Sequence, residues 1–183
     1  MIRFVTSNEG KFYEAQELLG AIGMDVEMLS IAYPEIQGES LKEVVLFGLD
    51  WLRQKVEGDV IIEDSGVFIE SLGGFPGVFS HSAYKTIGLD GVLKLMESVT
   101  ERSACFESCI GLIHSKDVVT FSGRCAGSIS AEQRGDKGFG YDPIFVPAGD
   151  SRTFGEMETD EKNRISHRGD AFRKLISFFQ ADR

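Results

Sequence analysis

Cysteine, proline and long apolar runs are scarce in this 183-residue chain. The three cysteines, Cys105, Cys109 and Cys125, lack Cys-x-x-Cys spacing, which argues against both a disulfide framework and a zinc knuckle. No apolar run approaches the ~20 residues that a membrane-spanning helix needs, and the run that follows Met1 is too short for a signal peptide. The sequence therefore predicts three buried free thiols, a cytoplasmic location and no membrane partner.

Basic residues are outnumbered by acidic ones, 19 Lys and Arg against 29 Asp and Glu, so the formal net charge is −10. The summed field of these charges repels polynucleotides, and we expect no nucleic-acid partner. A small anionic substrate is still compatible with this balance, because a few basic side chains and a bound cation can reverse the charge inside one cleft.

The chain has the composition of a compact folded protein, with 42% hydrophobic and 26% charged residues. Its length suits one domain with a sizeable core. No linker, repeat or low-complexity tract divides it. We therefore expect residues 1–183 to form a single α/β domain with two lobes and a cleft between them.

Two adjacent carboxylates follow an apolar run in the middle of the sequence. Residues 60–62 predict a buried strand, and Glu63 and Asp64 come directly after them, at the predicted strand end. A glycine- and proline-rich loop, residues 72–77, lies nearby. Charged groups at the mouth of a parallel or mixed sheet, beside such a loop, are typical of an α/β active site and indicate a metal site. The alternative is that both carboxylates merely end the strand and meet water.

A strand, a polar turn and a helix start occupy the first part of the chain. Residues 2–6 predict the strand, residues 7–10 the turn, and Lys11 the first residue of the helix. The free N–H groups of a helix start, the helix dipole and the Lys11 charge all favour an anion such as phosphate. The Walker A spacing is absent. Glu9 is expected to point outward, and an ordinary βα unit is the alternative interpretation.

A second strand is predicted over residues 25–30, followed by a helix that Ser40 caps with Glu43 as its capping-box partner. Phe47 and Trp51 lie to one side of the apolar stripe of this helix. They either widen the core face or form a subunit contact.

The middle of the chain predicts a short amphipathic helix over residues 88–99 and two long strands over residues 102–113 and 118–129. The four residues between the two strands predict a hairpin turn. His114 lies in that turn, where we expect it to be solvated and without a role.

The last third of the chain combines a glycine-rich loop with a capped helix. Residues 138–145 bring glycines, aromatic rings, a carboxylate and a proline together at the start of a strand. Ser166 is predicted to cap the last helix, which places His167 and Arg168 in its first turn. Positive charge there opposes the helix dipole, so we expect both side chains to face an anion or an acceptor.

Five short motifs in this order resemble those of the inosine triphosphate pyrophosphatase family, the XTP/dITP diphosphatases. Each motif alone is weak, but together they cover nearly the whole chain and are highly specific. The motifs are Thr6-Ser7-Asn8-x-Gly10-Lys11, Glu63-Asp64-Ser65-Gly66, Leu72-Gly73-Gly74-x-Pro76-Gly77, Gly138-Phe139-Gly140-Tyr141-Asp142-Pro143 and Glu161-Lys162-x-x-x-Ser166-His167-Arg168.

The resemblance implies a homodimeric, Mg²⁺-dependent enzyme that hydrolyses ITP, dITP and XTP to the nucleoside monophosphate and pyrophosphate, and so removes deaminated purines from the nucleotide pool. It also implies the fold, an elongated mixed sheet in two lobes flanked by helices. Two alternatives stay open. One is a pyrophosphatase of the related Maf type that acts on modified nucleotides, and the other is a nucleotide sensor without turnover.

The resemblance also implies a set of site residues. Asp64 corresponds to the proposed proton acceptor and, with Glu35, to the metal ligands, and Glu63 is an alternative ligand. Because a carboxylate bound to Mg²⁺ is a weaker base than a free one, we favour Asp64 as a ligand or an orienter of water. The substrate-binding positions are Thr6, Ser7, Asn8, Glu9, Gly10, Lys11, Ser65, Phe139, Gly140, Tyr141, Asp142, Lys162, His167 and Arg168.

The chain departs from the family pattern after the Pro-Gly turn, where many members carry an arginine. Here the nearest basic side chains are His81 and Lys85. If the arginine contacts phosphate in the family, one of these two must supply the charge, and the sequence does not decide which.

Overall fold

The fold is a single open sheet of six strands with helices on both faces, as a computed structural model describes it for residues 1–34 and 36–181. The strand order is β2-β1-β3-β4-β5-β6; β1 runs parallel to β2 and β3, and the remaining pairs are antiparallel. The predicted mixed α/β sheet is therefore confirmed. The strands are β1 Ile2–Val5, β2 Val26–Leu29, β3 Val60–Ile69, β4 Ser103–His114, β5 Asp117–Ile129 and β6 Phe145–Pro147.

Three apolar clusters hold the helices to the sheet. Helices α1 and α5 cover one face of its first half, and α2 covers the opposite face. The third cluster lies at the far ends of β3, β4 and β5, where the end of α3 packs with the last strand. The helices are α1 Glu9–Gly20, α2 Leu41–Leu52, α3 Ser80–Leu95, α4 Thr159–Ile165 and α5 His167–Ala181.

Both early helices begin where their polar caps bind backbone N–H groups. Asn8 Oδ1 accepts a hydrogen bond from the N–H of Lys11, so α1 begins at Glu9, two residues before the predicted start. Ser40 caps α2, as predicted, by accepting from the N–H of Glu43. The Glu43 carboxylate accepts from the N–H of Glu39 and not from that of Ser40, so the predicted capping box is incomplete.

Strand β3 does not end at the two carboxylates, and that part of the prediction is wrong. It continues through Glu63 and Asp64 to Ile69, because β4 pairs with it along its whole length. The strand that ends is β1, whose pairing with β3 stops at Phe4 opposite Ile61. The carboxylates therefore lie in the middle of a strand, just past the point where its other neighbour leaves the sheet.

Helix α3 is longer than predicted and is broken near its middle. It begins at Ser80 rather than at residue 88, and Gly88 interrupts it with φ 63° and ψ −172°. After the break, Leu89 and Val92 are buried in the third apolar cluster. Before the break most side chains are exposed, so that half carries no apolar stripe for a periodicity argument to detect.

The hairpin between β4 and β5 forms as predicted, and its two turn residues, Ser115 and Lys116, both have positive φ. The expectation for His114 is wrong. Its Nδ1 lies 2.8 Å from Asp59 Oδ1, and its ring packs edge-on against Phe178 and Phe179. It is a half-buried contact between the hairpin, the start of β3 and α5.

The three cysteines are free thiols, as predicted. Cys109 and Cys125 are buried, whereas Cys105 is half-buried. No helix within residues 1–34 and 36–181 has both the length and the apolar character that crossing a bilayer requires.

Candidate active site

Two cavities meet where β1 leaves the sheet and β3 continues. The first, of about 310 Å³, is lined by several rings and is called the aromatic cavity here. The second, of about 370 Å³, lies against the loop after β1 and is called the loop cavity. Four residues line both cavities and so mark their junction: Asn8, Lys11, Asp64 and His81.

The predicted triphosphate loop forms one wall of the loop cavity. Thr6, Ser7, Asn8 and Lys11 line it, and Thr6 Oγ1 accepts a hydrogen bond from the N–H of Asn8, which shapes the turn. Of the other two predicted loop residues, Glu9 is exposed in the first turn of α1 and lines neither cavity.

Gly10, the remaining loop residue, lies directly beneath the ring of Phe139. A Cβ built at Gly10 would clash with that ring, so only glycine allows this close approach. The contact joins the loop after β1 to the distant 138–142 loop. It leaves Phe139 lining the aromatic cavity.

Six charged side chains form a largely buried ion cluster in and behind the walls of the two cavities: Glu14, Glu63, Asp142, Lys11, Lys162 and Arg168. Lys162 Nζ lies 2.7 Å from Glu14 Oε1 and 2.5 Å from Asp142 Oδ2. Three cations thus face three carboxylates, and α1, β3, α4 and α5 are linked through them.

Arg168 occupies the centre of this cluster. Its Nη1 lies 2.7 Å from Glu14 Oε2, its Nε donates to Glu63 Oε1 at 3.2 Å, and its Nη2 donates to Ser65 Oγ at 3.0 Å. The expectation that Arg168 faces an acceptor is confirmed, and the acceptors are the chain's own carboxylates. Lys11 Nζ adds a second cation 2.8 Å from Glu63 Oε2.

Burial and the neighbouring cations together set the pKa of each carboxyl group in the ion cluster. Burial pushes the pKa of Glu63 and Glu14 upward, but Arg168 and the neighbouring lysines outweigh burial and hold both pKa values below the ordinary range. Burial prevails at Asp142 and raises its pKa, although Lys162 opposes the shift. Burial alone would lower the pKa of Arg168, but Glu63 and Glu14 raise it, so Arg168 stays charged.

His167 is buried, neutral and stacked flat on Phe106, with ring centroids 4.3 Å apart and planes 5° apart. Burial, assisted by the Arg168 charge, lowers the pKa of His167 well below 6.5. Neither ring nitrogen has a hydrogen-bond partner among residues 1–34 and 36–181. Because His167 also lines the aromatic cavity, its ring can offer one donor and one acceptor to a ligand.

Asp64 and Glu63 face opposite sides of β3 because successive strand residues alternate. Glu63 is buried in the ion cluster and also accepts a hydrogen bond from Ser108 Oγ at 2.6 Å. Asp64 is half-buried and lies at the junction of the two cavities, and its Oδ1 accepts from the N–H of Ser65. Glu63 also lines the loop cavity, but Lys11 and Arg168 already occupy its carboxylate, so Asp64 is the carboxylate better placed to meet a ligand.

The structure brings most of the predicted binding residues to the aromatic cavity. Lys162 instead lies behind the cavity wall, in the ion cluster. Glu35, the other predicted metal ligand, is outside the described residues. The predicted residues that line the aromatic cavity are Asn8, Lys11, Asp64, Ser65, Phe139, Gly140, Tyr141, Asp142, His167 and Arg168.

Two residues that position the site were missed from sequence. Glu14 is buried and bridges Lys162 and Arg168. The spacing held a signal for it, because Lys11, Glu14 and Leu18 share one helix face at i, i+3 and i+7. Ser80 accepts a hydrogen bond from the N–H of Val67 and lines the aromatic cavity, and no local pattern pointed to it.

The side chains at the junction suit Mg²⁺ better than a softer metal. Within residues 1–34 and 36–181 no group of three or more His, Cys, Asp or Glu side chains is arranged to hold a metal ion. Mg²⁺ is commonly bound by one or two carboxylates with substrate phosphates and water, and it needs no complete protein cage. The Asp64 carboxylate is a donor of the required kind.

Comparisons with known proteins identify a family. The Ham1 family model matches residues 2–178. A protein from Pyrococcus horikoshii named dITP/XTP pyrophosphatase is 50% identical over 99% of this chain and 97% of its own length. A protein of the same name from Thermococcus kodakarensis is 48% identical over 98% of this chain and 97% of its own.

Solved structures of related proteins share the fold. A HAM1 protein from Coxiella burnetii superposes with a TM-score of 0.84 at 31% identity, covering 98% of both chains. The Ham1 protein of Staphylococcus aureus has the same TM-score at 23% identity over the full length of both chains, which shows the shared fold. From the match over residues 2–178 and the close relatives along its whole length, this chain belongs to the Ham1 family.

Proposed function

We propose that this chain is a nucleoside triphosphate pyrophosphohydrolase that cleaves ITP, dITP and XTP to the nucleoside monophosphate and pyrophosphate, and so removes deaminated purines from the nucleotide pool. The names of its relatives support this activity. The observation that carries it is the position of Asp64, at the junction of an aromatic cavity and a cavity walled by a helix-start loop.

The two cavities suit the two ends of a nucleotide. Phe139 offers its ring in the aromatic cavity to a base, and stacking of this kind is worth ~1–3 kcal/mol per base. The loop cavity contains the start of α1, where N–H groups and the helix dipole favour phosphate. A nucleotide that spans both would place its phosphate chain beside Asp64.

Base selection is proposed to come from fixed polar groups in the aromatic cavity. The Arg168 guanidinium is locked by two carboxylates and Ser65, and the neutral His167 ring has unused nitrogens. A donor held in this way is satisfied by the 6-oxo group of hypoxanthine or xanthine and meets another donor in adenine. A buried donor left unpaired costs about 1–3 kcal/mol, which is roughly 5- to 150-fold in discrimination.

We propose Mg²⁺ as the cofactor, with Asp64 and Glu35 as its protein ligands. When bound, Mg²⁺ neutralises phosphate charge and stabilises the departing pyrophosphate. Asp64 orients the attacking water in line with one phosphorus, and the bond to the bridging oxygen breaks as the new P–O bond forms. Glu63 is less suited to the metal because Lys11, Arg168 and Ser108 already occupy it.

The enzyme is proposed to act in the cytoplasm as a homodimer. Free thiols are typical of reducing compartments and support the location. Three exposed aromatic side chains, Phe47, Phe75 and Phe79, are 39–44% exposed and support a subunit contact. Light scattering checks the dimer, since it should give twice the chain mass of 20.2 kDa.

A substrate screen tests the proposed activity. The purified chain is incubated with Mg²⁺ and ITP, dITP, XTP, GTP, ATP or modified pyrimidine triphosphates, and released pyrophosphate is measured. We expect turnover of the three deaminated purine nucleotides and little of the others. Preference for modified pyrimidines would indicate a Maf-type activity, and tight binding of ITP without turnover would indicate a sensor.

The variant Asp64→Asn tests the mechanism in the same assay. We expect kcat to fall by about 10²- to 10⁴-fold, as for loss of a group that activates a reactant, with an unchanged circular dichroism spectrum. Asp50→Asn, which alters an exposed carboxylate on α2, is the matched control. Near-normal turnover in Asp64→Asn would remove Asp64 from the mechanism.

A further inference from the structure

His167 is a buried polar side chain in the wall of the aromatic cavity. It is 2% exposed, and within residues 1–34 and 36–181 neither Nδ1 nor Nε2 has a hydrogen-bond partner. Buried polar groups are nearly always paired, so an unpaired imidazole beside a cavity points to a ligand. The direction of a histidine ring is commonly set by a hydrogen bond to its second nitrogen, and no described residue supplies one here. The ring has to be held by packing instead.

The backbone of His167 is fixed at the start of α5. Ser166 Oγ accepts a hydrogen bond from the N–H of Gly169 at 3.0 Å and so caps the helix. A Cβ built at Gly123 of β5 would lie 2.1 Å from the carbonyl oxygen of His167, so the helix start lies directly on the sheet. With its backbone held in this way, His167 can change only the direction of its side chain.

The ring of Phe106 holds that direction. It lies flat on the imidazole with ring centroids 4.3 Å apart, and any tilt of the imidazole out of this parallel arrangement would break the stack. Phe106 is itself fixed, because Phe145 and Phe154 pack around it with ring centroids 4.7 and 6.2 Å away. Phe106 comes from β4, so the stack ties His167 to the sheet.

The same ring keeps water away from His167. Burial is the largest cause of the lowered pKa of His167, and the face that Phe106 covers is part of that burial. A smaller or more flexible side chain at position 106 would leave room for water beside the imidazole. Water there would pair with the ring nitrogens, favour their protonation and compete with a ligand for both atoms.

We propose that Phe106 is a positioning residue for base recognition: it fixes the direction of the His167 ring and excludes water from it, so that His167 meets the base with a preset donor and acceptor. Phe106 acts through His167, which is the residue that contacts the base. This inference rests on the proposed function. It adds a residue of β4 that lies outside the five sequence motifs.

The variant Phe106→Leu tests the proposal, because it keeps an apolar side chain and removes the flat ring. Kinetics with dITP and Mg²⁺ should show KM raised about 3- to 10-fold, as for the loss of one hydrogen bond to the base, with kcat within about twofold of wild type. A purely structural role would lower the melting temperature and leave KM unchanged. Phe106→Met, which also lacks a ring, is used if the leucine variant does not fold.

Proton NMR of the histidine rings gives a readout without substrate or metal. The chain has three histidines, so the His167 signals are those that His167→Phe lacks. In the wild type, the carbon-bound ring protons of His167 should be shifted upfield by the Phe106 ring and should not move between about pH 8 and pH 6. In Phe106→Leu the upfield shift should disappear, and the signals should move with pH because water reaches the ring.

Phe121→Leu is the matched control. It removes another buried ring from a strand, in the apolar cluster beneath α1 and α5 and away from both cavities. It should leave KM and the His167 signals as in the wild type. The proposal is overturned if the KM of Phe106→Leu lies within about twofold of the control, or if its His167 signals match those of the wild type.

The two measurements separate this inference from the proposed function. If the wild type hydrolyses dITP and Phe106→Leu matches the control in KM, the activity stands and the role of Phe106 is refuted. If the wild type hydrolyses no dITP, the proposed function fails and takes the base contact of His167 with it. The spectra then still decide whether Phe106 holds the His167 ring.

Discussion

The two sides of the cleft hold their basic side chains in opposite ways. On the side built by α1, α4 and α5, Lys162 and Arg168 are 2% and 1% exposed, and each has a carboxylate oxygen within 2.7 Å. On the α3 side, His81 and Lys85 are exposed and line the cavities without a carboxylate partner among residues 1–34 and 36–181.

This difference separates rigidity from ligand contact. Charges withdrawn from water are stable only when they are paired, so the buried side keeps one arrangement whether or not a ligand is bound. An exposed basic side chain loses little interaction energy when it reorients, so the α3 side can adjust its side chains to a ligand. The cleft thus combines a rigid wall on the ion-cluster side with an adaptable wall on the α3 side.

The variant with the largest expected effect is Glu14→Ala, which removes a carboxylate shared by two buried cations. Breaking a buried pair in this way typically costs about 3–5 kcal/mol, and we expect a loss of that size in the free energy of unfolding. Urea denaturation measures it. Asp160→Ala, which breaks an exposed pair with Arg164, should cost less than about 1 kcal/mol. Equal losses of unfolding free energy in the two variants would show that the buried ion cluster stabilises the fold no more than an exposed ion pair does.

A second test uses the pH dependence of stability. The pKa of His167 in the folded protein is well below 6.5, the value expected in the unfolded chain. As pH falls below 6.5, the unfolded chain binds a proton that the folded protein does not, so stability is lost on acidification. The loss approaches about 1.4 kcal/mol per pH unit.

The variant His167→Phe preserves an aromatic stack on Phe106 and removes the proton site. Between about pH 6 and pH 5 its free energy of unfolding should fall less steeply than that of the wild type, by up to that slope. His81 and His114 are present in both proteins, so the difference between the two curves isolates His167. Parallel curves would show that His167 binds a proton equally well in the folded and unfolded states, which contradicts a lowered pKa.

The smallest expected effect concerns the link between the two sides. Tyr141 belongs to the loop beside the ion cluster, yet its hydroxyl donates to Ser80 on α3, and burial, with Tyr84 nearby, raises its pKa to about 12 and keeps it a donor. Tyr141→Phe should cost about 0.5–1.5 kcal/mol in urea denaturation. Tyr13→Phe, at a 61% exposed ring, should cost almost nothing. If Tyr141→Phe lowers the free energy of unfolding as little as Tyr13→Phe does, the two sides of the cleft are joined by packing alone.

Local patterns were enough to predict much of the fold. The first strand, the α2 cap at Ser40 and the hairpin after β4 each depend on residues close together in sequence, and all three form. The triphosphate loop and Asp64 were predicted from a resemblance carried by several motifs, and both lie at the cavities.

The rest depends on contacts between distant residues. Glu14 meets Lys162 and Arg168, which follow it by 148 and 154 positions, and its charge made it resemble a surface residue. The end of β3 was misplaced because pairing with β4, and not local polarity, sustains the strand through Glu63. His114 was assigned to solvent because its partners on α5 cannot be read from a turn sequence.

The break at Gly88 divides α3 between two tasks. Residues after it, such as Leu89 and Val92, hold the third apolar cluster together, whereas residues 80–87 carry the side chains that reach the cavities. Substitutions at the exposed positions of the first half can therefore retune affinity for charged ligands while the interior is undisturbed. Directed evolution of altered nucleotide preference should accumulate its changes there, in a segment whose variation the rest of the molecule tolerates.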